Sequence, residues 1–333
     1  VLSAIREAGN RKITVKGGKY LEAVAEADTI VFDKTGTLTK GVFKVVETCA
    51  NGISEDDLLE LAAYGEYYSN HPIAASIKAA YKGTVQIDRL DGYEEISGMG
   101  IKVLKDGKEV LVGNKKLLDS RKISMAGAKQ PSKVGTVLFV AENGAYKGCI
   151  TIADEIKDGV KDAIASIKKC GIDNVVMLTG DKKEVADSVA KELGIDTVCA
   201  ELMPGDKVDK VEQLLREKDE DSTLIFTGDG INDAPVLMRA DVGIAMGAMG
   251  QDAAIEAADI VLIDDDPGKI AVAYAIARKT VRIVQQNIVF ALAVKIIVMV
   301  LGALGFANMW AAVFADVGVA FLAIINATRA LKP

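Results

Sequence analysis

Short apolar runs recur along the chain, and several stop at an acid, a hydroxyl or a glycine. Thr29 to Phe32 runs into Asp33, Val175 to Leu178 into Thr179-Gly180-Asp181, and Thr223 to Phe226 into Thr227-Gly228-Asp229. Val242 to Ala245 and Ile260 to Ile263 keep the same rhythm. Between them lie helical stretches, Asp154 to Lys169, Lys183 to Leu193 and Gly205 to Leu215. Near-continuous apolar strands alternating with helices predict a parallel sheet covered on both faces. Ligands of such sheets bind beyond the carboxyl ends of the strands, which is where the polar residues fall.

From about Phe43 to Ile150 the rhythm breaks. Helical stretches over Asp56 to Glu66 and Pro72 to Tyr81 precede strands with turn signals at Asp91-Gly92, Asp106-Gly107 and Asn143-Gly144. This predicts a separate α+β domain inserted after the first strand, over residues 43–149, with the parallel sheet built from residues 1–42 and 150–281.

The tail changes character again. Ile288 to Ala307 is apolar except for Lys295, and after a short break at Asn308, Met309 to Ile325 is apolar except for Asp316. Each is long enough to cross about 30 Å of hydrocarbon at about 1.5 Å per residue. Residues 282–333 therefore read as a hairpin of two transmembrane helices. Arg278, Lys279 and Arg282 before it, and Arg329 and Lys332 after it, place both ends in the cytoplasm.

Composition narrows the partners. With 333 residues, half of them hydrophobic and 26% charged, the chain is folded and long enough for two or three domains. A net charge of -7, with no basic stripe interleaved with aromatics, argues against a nucleic-acid partner. Cys49, Cys149, Cys170 and Cys199 form no CxxC pair, which suits a reducing compartment. His71 is the single histidine, which argues against a soluble zinc site of His and Cys at ligand spacing. Val1 to Lys16 carries no initiator methionine and reads as the interior of a longer polypeptide.

The candidate chemistry centres on Asp33-Lys34-Thr35-Gly36-Thr37-Leu38-Thr39. A carboxylate at a strand end can attack an electrophile while hydroxyls and amides of the turn hold phosphate oxygens, and its acyl phosphate splits one hard transfer into two easier ones. Thr227-Gly228-Asp229-Gly230-Ile231-Asn232-Asp233 adds two more acids. Asp33, Asp229 and Asp233 beside a triphosphate would repel it and raise one another's pKa, and magnesium, a hard cation, resolves both problems. Lys207, after Pro204-Gly205, can set positive charge on the transferring group, and Thr179 can donate its hydroxyl. The position for the closing glutamate of a calcium loop begun at Asp229 holds Ala240, which rules that loop out. ATP is not bound through a Walker-type loop, since no GxxxxGK[ST] occurs. A charge deep in an apolar span costs several kcal/mol unless paired or functional. Lys295 and Asp316 are therefore expected to pair with each other or to serve a function within the spans.

The aspartate heptapeptide, TGD and TGDGxND, in this order, resemble the P-type ATPases within the haloacid dehalogenase superfamily. The resemblance covers essentially the whole chain. It implies a haloacid dehalogenase-like, Rossmann-type phosphorylation domain with an inserted nucleotide-binding domain, and ATP and magnesium as cofactors. Asp33 would be the phosphorylated nucleophile, with Lys34, Thr179, Gly180, Asp181 and Lys207 serving the transfer. The Thr35 carbonyl would join Asp33, Asp229 and Asp233 around magnesium. Ser69-Asn70-His71-Pro72 is similar to the SEHP signature of the heavy-metal subclass, with Asn70 departing from its glutamate. Glu66, His71, Gly98, Gly100, Gly113 and Asn114 would meet the nucleotide, the glycines by letting a flat base approach the backbone. Asp316-Val317-Gly318 with an upstream lysine looks like the zinc-, cadmium- and lead-exporting group, which implies Asp316 as a ligand of the transported ion and Lys295 as its counter-ion when that ion has left, the alternative being a structural ion pair. The resemblance further implies a plasma-membrane pump with cytosolic catalytic domains, exporting a divalent metal, whose actuator domain and about six earlier helices belong to a preceding N-terminal half.

Two other functions compete. A soluble phosphatase of the same superfamily would carry an acid two residues after the nucleophile, where Thr35 stands, and has no use for an apolar hairpin. A membrane-anchored nucleotide sensor would not need Asp33, Thr179, Lys207, Asp229 and Asp233 together.

Overall fold

The computed structural model describes residues 1–230, 233–247, 252–306 and 308–331. Ile231 and Asn232 of the TGDGIND run, Ala307 at the end of the first expected span, and Lys332 lie outside them.

The chain opens with α1 (Leu2–Asn10), β1 (Ile13–Val15), α2 (Gly18–Ala25) and β2 (Ala27–Asp33). There follow β3 (Thr39–Ala50), α3 (Glu55–Gly65), α4 (Pro72–Ala80), β4 (Leu90–Ile96), β5 (Gly100–Lys105), β6 (Lys108–Gly113), α5 (Lys115–Ser120), β7 (Thr136–Glu142) and β8 (Ala145–Ile156). The alternating part then runs α6 (Val160–Lys169), β9 (Asn174–Leu178), α7 (Lys183–Leu193), β10 (Thr197–Cys199), α8 (Pro204–Glu217), β11 (Thr223–Gly228), α9 (Ala234–Arg239), β12 (Val242–Met246), α10 (Asp252–Ala257) and β13 (Ile260–Leu262). The tail comprises α11 (Gly268–Ala303), α12 (Met309–Val313) and α13 (Val319–Ala327).

These elements form two compact units, Val1–Leu38 with Lys157–Pro333, and Thr39–Ile156. In the first, the strand order is β1-β13-β12-β11-β2-β9-β10, parallel except for β1 against β13. β2 is central because Ile30, Val31 and Phe32 are buried completely, as a strand flanked by strands and covered on both faces requires. Val31, Val176, Leu178, Leu224 and Phe226 pack in one core beneath α8 and α9.

The second unit is an antiparallel sheet of order β3-β8-β7-β6-β5-β4. α3 begins with a capping box, in which Ser54 and Asp57 satisfy each other's backbone N–H groups. Leu58, Leu61 and Ala62 of α3 and Ile77 of α4 pack onto Val103, Val110, Val112, Val140 and Ile150 of the sheet.

Four expectations change. The boundaries of the insert move from 43 and 149 to Thr39 and Ile156, because β3 and β8 pair with each other from Thr39↔Ile156 to Ala50↔Gly148. For the same reason the helix expected from Asp154 starts only at Val160, since residues 154–156 are held extended in β8. Asp106-Gly107 and Asn143-Gly144 turn with both residues at positive φ, as hairpins of this twist need. Asp91-Gly92 instead lies within β4, where the register against β5 shifts and Gly92 (φ +62°) supplies the bulge.

The fourth change concerns the tail. Among the described residues one helix, α11, is long and apolar enough to cross a membrane. It starts well before the expected span, and its first half buries Ile270, Ala273, Tyr274, Ala277 and Ile283. It stops at Ala303, short of Asn308, because Gly305 (φ +80°) closes a Schellman turn in which Phe306 N–H donates to Leu301 O at 2.8 Å. The second expected span is not one regular helix. α12 and α13 flank a π-helical segment, Phe314–Gly318, that contains Asp316. Asn287 Nδ2 donates to Ala323 O (3.0 Å) and Asn326 Nδ2 to Asn287 Oδ1 (2.8 Å), which fastens α11 to α13 where apolar surfaces alone give little preference.

Candidate functional site

Asp33 ends the central strand β2, and β11, the strand beside it, ends in Gly228 just before Asp229. Parallel neighbours end on the same side, so strand topology alone sets Asp229 and Asp233 beside Asp33. One carboxylate oxygen from each of the three lies within 4.8 Å of the others. Asp33 and Asp233 are buried. Lys207, in the first turn of α8, reaches in from a third strand-helix connection. Its Nζ stands 2.5 Å from Asp33 Oδ1 and 3.2 Å from Asp233 Oδ1.

Two glycines make this crowding sterically feasible. Gly36 (φ +77°) passes so close that a Cβ there would stand 1.7 Å from Asp229 Oδ2. At Gly228 a Cβ would stand 2.7 Å from Asp233 Oδ2.

The electrostatics follow from burial. Asp33 is pushed up to about 7, first by desolvation and then by the charge of Asp233, with Lys207 opposing and Asp229 adding a smaller push. Asp229 is raised too, by burial and then by Asp233, while Lys157 pulls the other way. For Lys207 burial would lower the pKa, yet the charges of Asp33 and Asp233 outweigh it and the net shift is upward. One cation among three acids leaves an excess of negative charge. Three hard oxygen donors within reach of one another, short of positive charge, fit a magnesium ion. The hydroxyl oxygens of Thr37 and Thr227, beside these acids in the sequence, are buried without a partner.

The remaining residues of the turns after β2 and β9 lie around the acids. Lys34, buried, pairs with Asp181 Oδ2 at 2.6 Å, which ties the turn after β2 to the turn after β9. Thr179 Oγ1 accepts from Asp181 N–H (3.1 Å), while Thr179 N–H donates to Cys199 O (3.0 Å). Gly180 passes Leu202 O, which a Cβ would approach to 3.1 Å. Thr35 is extended (φ -75°, ψ 127°) immediately before the left-handed Gly36.

Sequence reasoning missed Lys157 and Asp265. Lys157 Nζ donates to Gly36 O and lies 2.8 Å from Asp265 Oδ1. Asp265 follows β13, so the rule that flagged acids at strand ends contained the signal. Lys157 belongs to no motif, and only the return of β8 brings it to the turn.

In the inserted unit the glycine motifs meet directly. Gly100 of β5 is paired across the ladder with Gly113 of β6. A Cβ on Gly100 (φ +147°) would stand 2.3 Å from Val112 O, and one on Gly113 2.2 Å from Met99 O. Asn114 caps α5 and its Nδ2 donates to Gly98 O at 2.8 Å, so both motifs form one bare-backbone platform. Gly98 (φ +71°) has open space on its Cβ side.

Glu66 ends α3, is buried, and is raised in pKa by that burial, against the lowering effects of Ser69, His71 and Lys78. His71 caps α4, with Nδ1 accepting Ile73 N–H at 3.2 Å. That bond assigns the proton of a neutral ring to Nε2. Lys78 holds the Ser69 to Pro72 loop through Tyr67 O (3.3 Å) and Ser69 O (3.0 Å). Tyr68 meets Tyr93 of β4 edge-on at 5.5 Å, which sets this loop beside the sheet that carries Gly100.

In the tail, Lys295 Nζ of α11 lies 2.9 Å from Asp316 Oδ1 in the π-helical segment. Gly318 lies against the Phe314 ring, which a Cβ there would approach to 2.6 Å.

A buried aspartate at the tip of a central parallel strand, faced by a lysine and two further acids, defines the class of proteins that transfer groups through an enzyme carboxylate. A profile of haloacid dehalogenase-like hydrolases matches residues 27–241. The cadmium, zinc and cobalt-transporting ATPase of Bacillus subtilis (strain 168) is 51% identical over 329 residues, 98% of this chain and 46% of that protein. The zinc-transporting ATPase of Synechocystis sp. is also 51% identical, over 326 residues, 98% of this chain and 45% of that protein. The crystal structure of a zinc-transporting PIB-type ATPase in the E2.Pi state matches with a TM-score of 0.84 at 33% identity, covering 100% of this chain and 54% of that one. The chain belongs to the haloacid dehalogenase-like hydrolases and, within them, to the heavy-metal subclass of the P-type ATPases. It spans about half the length of the curated relatives it matches.

Proposed function

We propose that this chain is the ATP-binding and phosphorylation half of an ATP-driven exporter of a divalent heavy-metal cation. Asp33 attacks the γ-phosphorus of ATP, forming an acyl phosphate as the bond to the ADP oxygen breaks. Asp33, Asp229, Asp233 and the Thr35 carbonyl would hold magnesium, which supplies neutralising charge for donor and phosphate oxygens. Lys207 balances charge on the transferring phosphoryl group, and Thr179 with the Lys34–Asp181 pair keeps the surrounding turns in register. Glu66, His71, Gly98, Gly100, Gly113 and Asn114 receive the nucleotide base in the inserted unit.

The observation that carries this reading is Lys207 Nζ at 2.5 Å from an Asp33 carboxylate that also faces Asp229 and Asp233. The absence of a carboxyl at Thr35 favours a lasting phosphoaspartate over prompt hydrolysis by a phosphatase. Zinc, cadmium or lead as cargo is supported by the Lys295–Asp316 pair within the apolar tail and by the names of the relatives. In this reading the pump lies in the plasma membrane with its catalytic units in the cytoplasm, and a preceding half supplies the actuator domain and earlier helices.

Incubation of the full-length protein with γ-labelled ATP and magnesium tests the chemistry. Acid-stable, hydroxylamine-labile label that disappears in Asp33→Asn is the expected result. A wild-type protein that binds ATP yet takes up no such label would overturn the proposal.

A further inference from the structure

Lys157 is the first residue of the sheet unit after the insert, and its backbone N–H donates to Leu38 O at 3.0 Å, closing the gap where the chain leaves and returns. Its side chain continues inward and is only 10% exposed. The ammonium donates to the carbonyl of Gly36 and lies 2.8 Å from both carboxylate oxygens of Asp265.

Gly36 is the residue of the aspartate turn that most needs holding. Glycine changes backbone conformation more cheaply than any other residue, and this one adopts φ +77° three positions after Asp33. One side of its Cα lies against the Asp229 carboxylate, with no room for a methyl group. A rotation of the Gly36 peptide would therefore shift Asp229 and loosen the turn that carries Asp33. The Lys157 bond to the Gly36 carbonyl opposes that rotation.

Asp265 has the features of a built support. It is a non-glycine residue at φ +56°, a left-handed conformation that L side chains adopt uncommonly. Gly247, after β12, leaves space for its carboxylate, which a Cβ there would approach to 3.2 Å.

We propose that Lys157 is a positioning residue for phosphoryl transfer, holding the Gly36 peptide of the aspartate turn while Asp265 holds the lysine. It touches no reacting atom; it limits the positions open to Asp33 and Asp229. The inference rests on phosphorylation of Asp33 as proposed above. A lysine that merely stapled the return of the insert would affect stability without changing the rate of phosphorylation of the folded protein.

The experiment compares Lys157→Met, Lys157→Arg, Asp265→Asn and the Lys157→Met/Asp265→Asn double variant with the wild type, in the full-length protein. Phosphoenzyme formation from γ-labelled ATP is followed by rapid quench across ATP concentrations. Misplacement of reacting groups by about 1 Å costs on the order of a hundredfold in rate, so Lys157→Met should slow labelling at saturating ATP by about 10- to 100-fold. The ATP concentration giving half the maximal rate should stay within about twofold, as a residue that acts on the position of Asp33 and not on the nucleotide requires. Lys157→Arg should recover most of the rate. Asp265→Asn should slow it less, and the double variant should be no slower than Lys157→Met, because the two residues act as one device.

Labelling at the wild-type rate in Lys157→Met would overturn the proposal, as would a loss confined to subsaturating ATP or an additive double variant. Should Lys157→Met fail to accumulate as folded protein, Asp265→Asn carries the same test, with a wild-type rate counting against the proposal. Failure of the wild type itself to take label at Asp33 would instead remove the phosphorylation reading on which this one stands.

Discussion

Lys207 Nζ lies 2.5 Å from Asp33 Oδ1, although 174 residues separate the two in the chain. The same ammonium lies 3.2 Å from Asp233 Oδ1, and it is the cation closest to both carboxylates among the described ion pairs. Strand order brings the partners together, since α8 enters beside the central strands and presents its first turn to their carboxyl ends.

Replacing Lys207 by Met should slow phosphoenzyme formation by about 10²- to 10³-fold, the usual cost of removing one preorganised group from developing charge. Arginine keeps the charge but spreads it over a planar fork, so Lys207→Arg should recover only part of the rate. Quenched-flow labelling with ATP checks both, and a Met variant within threefold of wild type would contradict the assignment.

Gly36→Ala should abolish magnesium-dependent labelling of Asp33. The new methyl would fall 1.7 Å from Asp229 Oδ2 at a backbone φ of +77°, so either the acid or the turn must move. Destabilisation of at least about 1–3 kcal/mol should accompany it. Thermal unfolding and labelling of the same preparation separate the two effects.

Asp33 gives stability a pH signature. Its folded-state pKa of about 7 lies above its ordinary value of 3.8, so the folded protein binds this proton more tightly than the unfolded chain. The contribution is complete below pH 3.8, declines as pH rises through about 7, and amounts to at most roughly 4 kcal/mol. In the absence of divalent ions, the wild type should therefore lose thermal stability relative to Asp33→Asn between about pH 4 and pH 7. Magnesium should flatten that difference, because it favours the ionised carboxylate. Melting curves of both proteins with chelator or with magnesium test this, and parallel pH profiles would refute it.

In the inserted unit, Gly100→Ala should weaken ATP binding by tenfold or more, roughly 1.4 kcal/mol. The added Cβ would meet Val112 O at 2.3 Å and separate the two glycine motifs. Asn114→Ala loses both the α5 cap and the bond to Gly98 O, with an expected cost of about 1–2 kcal/mol. Titration with a fluorescent ATP analogue reads the first effect and thermal unfolding the second.

Asp316→Ala in the full-length protein should eliminate zinc-stimulated ATP hydrolysis while ATP still binds. Unchanged stimulation would show that the Lys295–Asp316 pair is purely structural. Lys295→Ala distinguishes the roles further, since a built-in counter-ion matters after release of the metal and so should alter turnover more than metal affinity.

Much of this site was legible in the linear pattern. Asp33, Thr179, Asp229 and Asp233 follow apolar runs, and a run that long and that apolar is a strand buried on both faces, with its polar end at the sheet edge. The Gly98-Gly100 and Gly113-Asn114 motifs were found through the family resemblance, and glycine's bare backbone gave the physical reason a flat base could approach them. Lys157 was not legible, and Asp265, although it follows the apolar run of β13, was not singled out from the acids around it. A lysine after a strand and an acid in an Asp-Asp-Asp run are common as solvated residues, and neither has a spacing that identifies the other.

The sequence by itself determined what depends on local periodicity: a parallel α/β sheet, an insert of different rhythm, an apolar tail, and acids at strand ends. Tertiary structure alone decided what depends on which segments become neighbours. It put Lys207 on Asp33, Gly100 across from Gly113, and Lys157 under Gly36, and it stopped α11 at the Gly305 turn instead of at Asn308. Periodicity records the environment of each residue along its own strand or helix. The partner across a sheet or in another loop is set by strand order and packing, and nothing in a single segment encodes either.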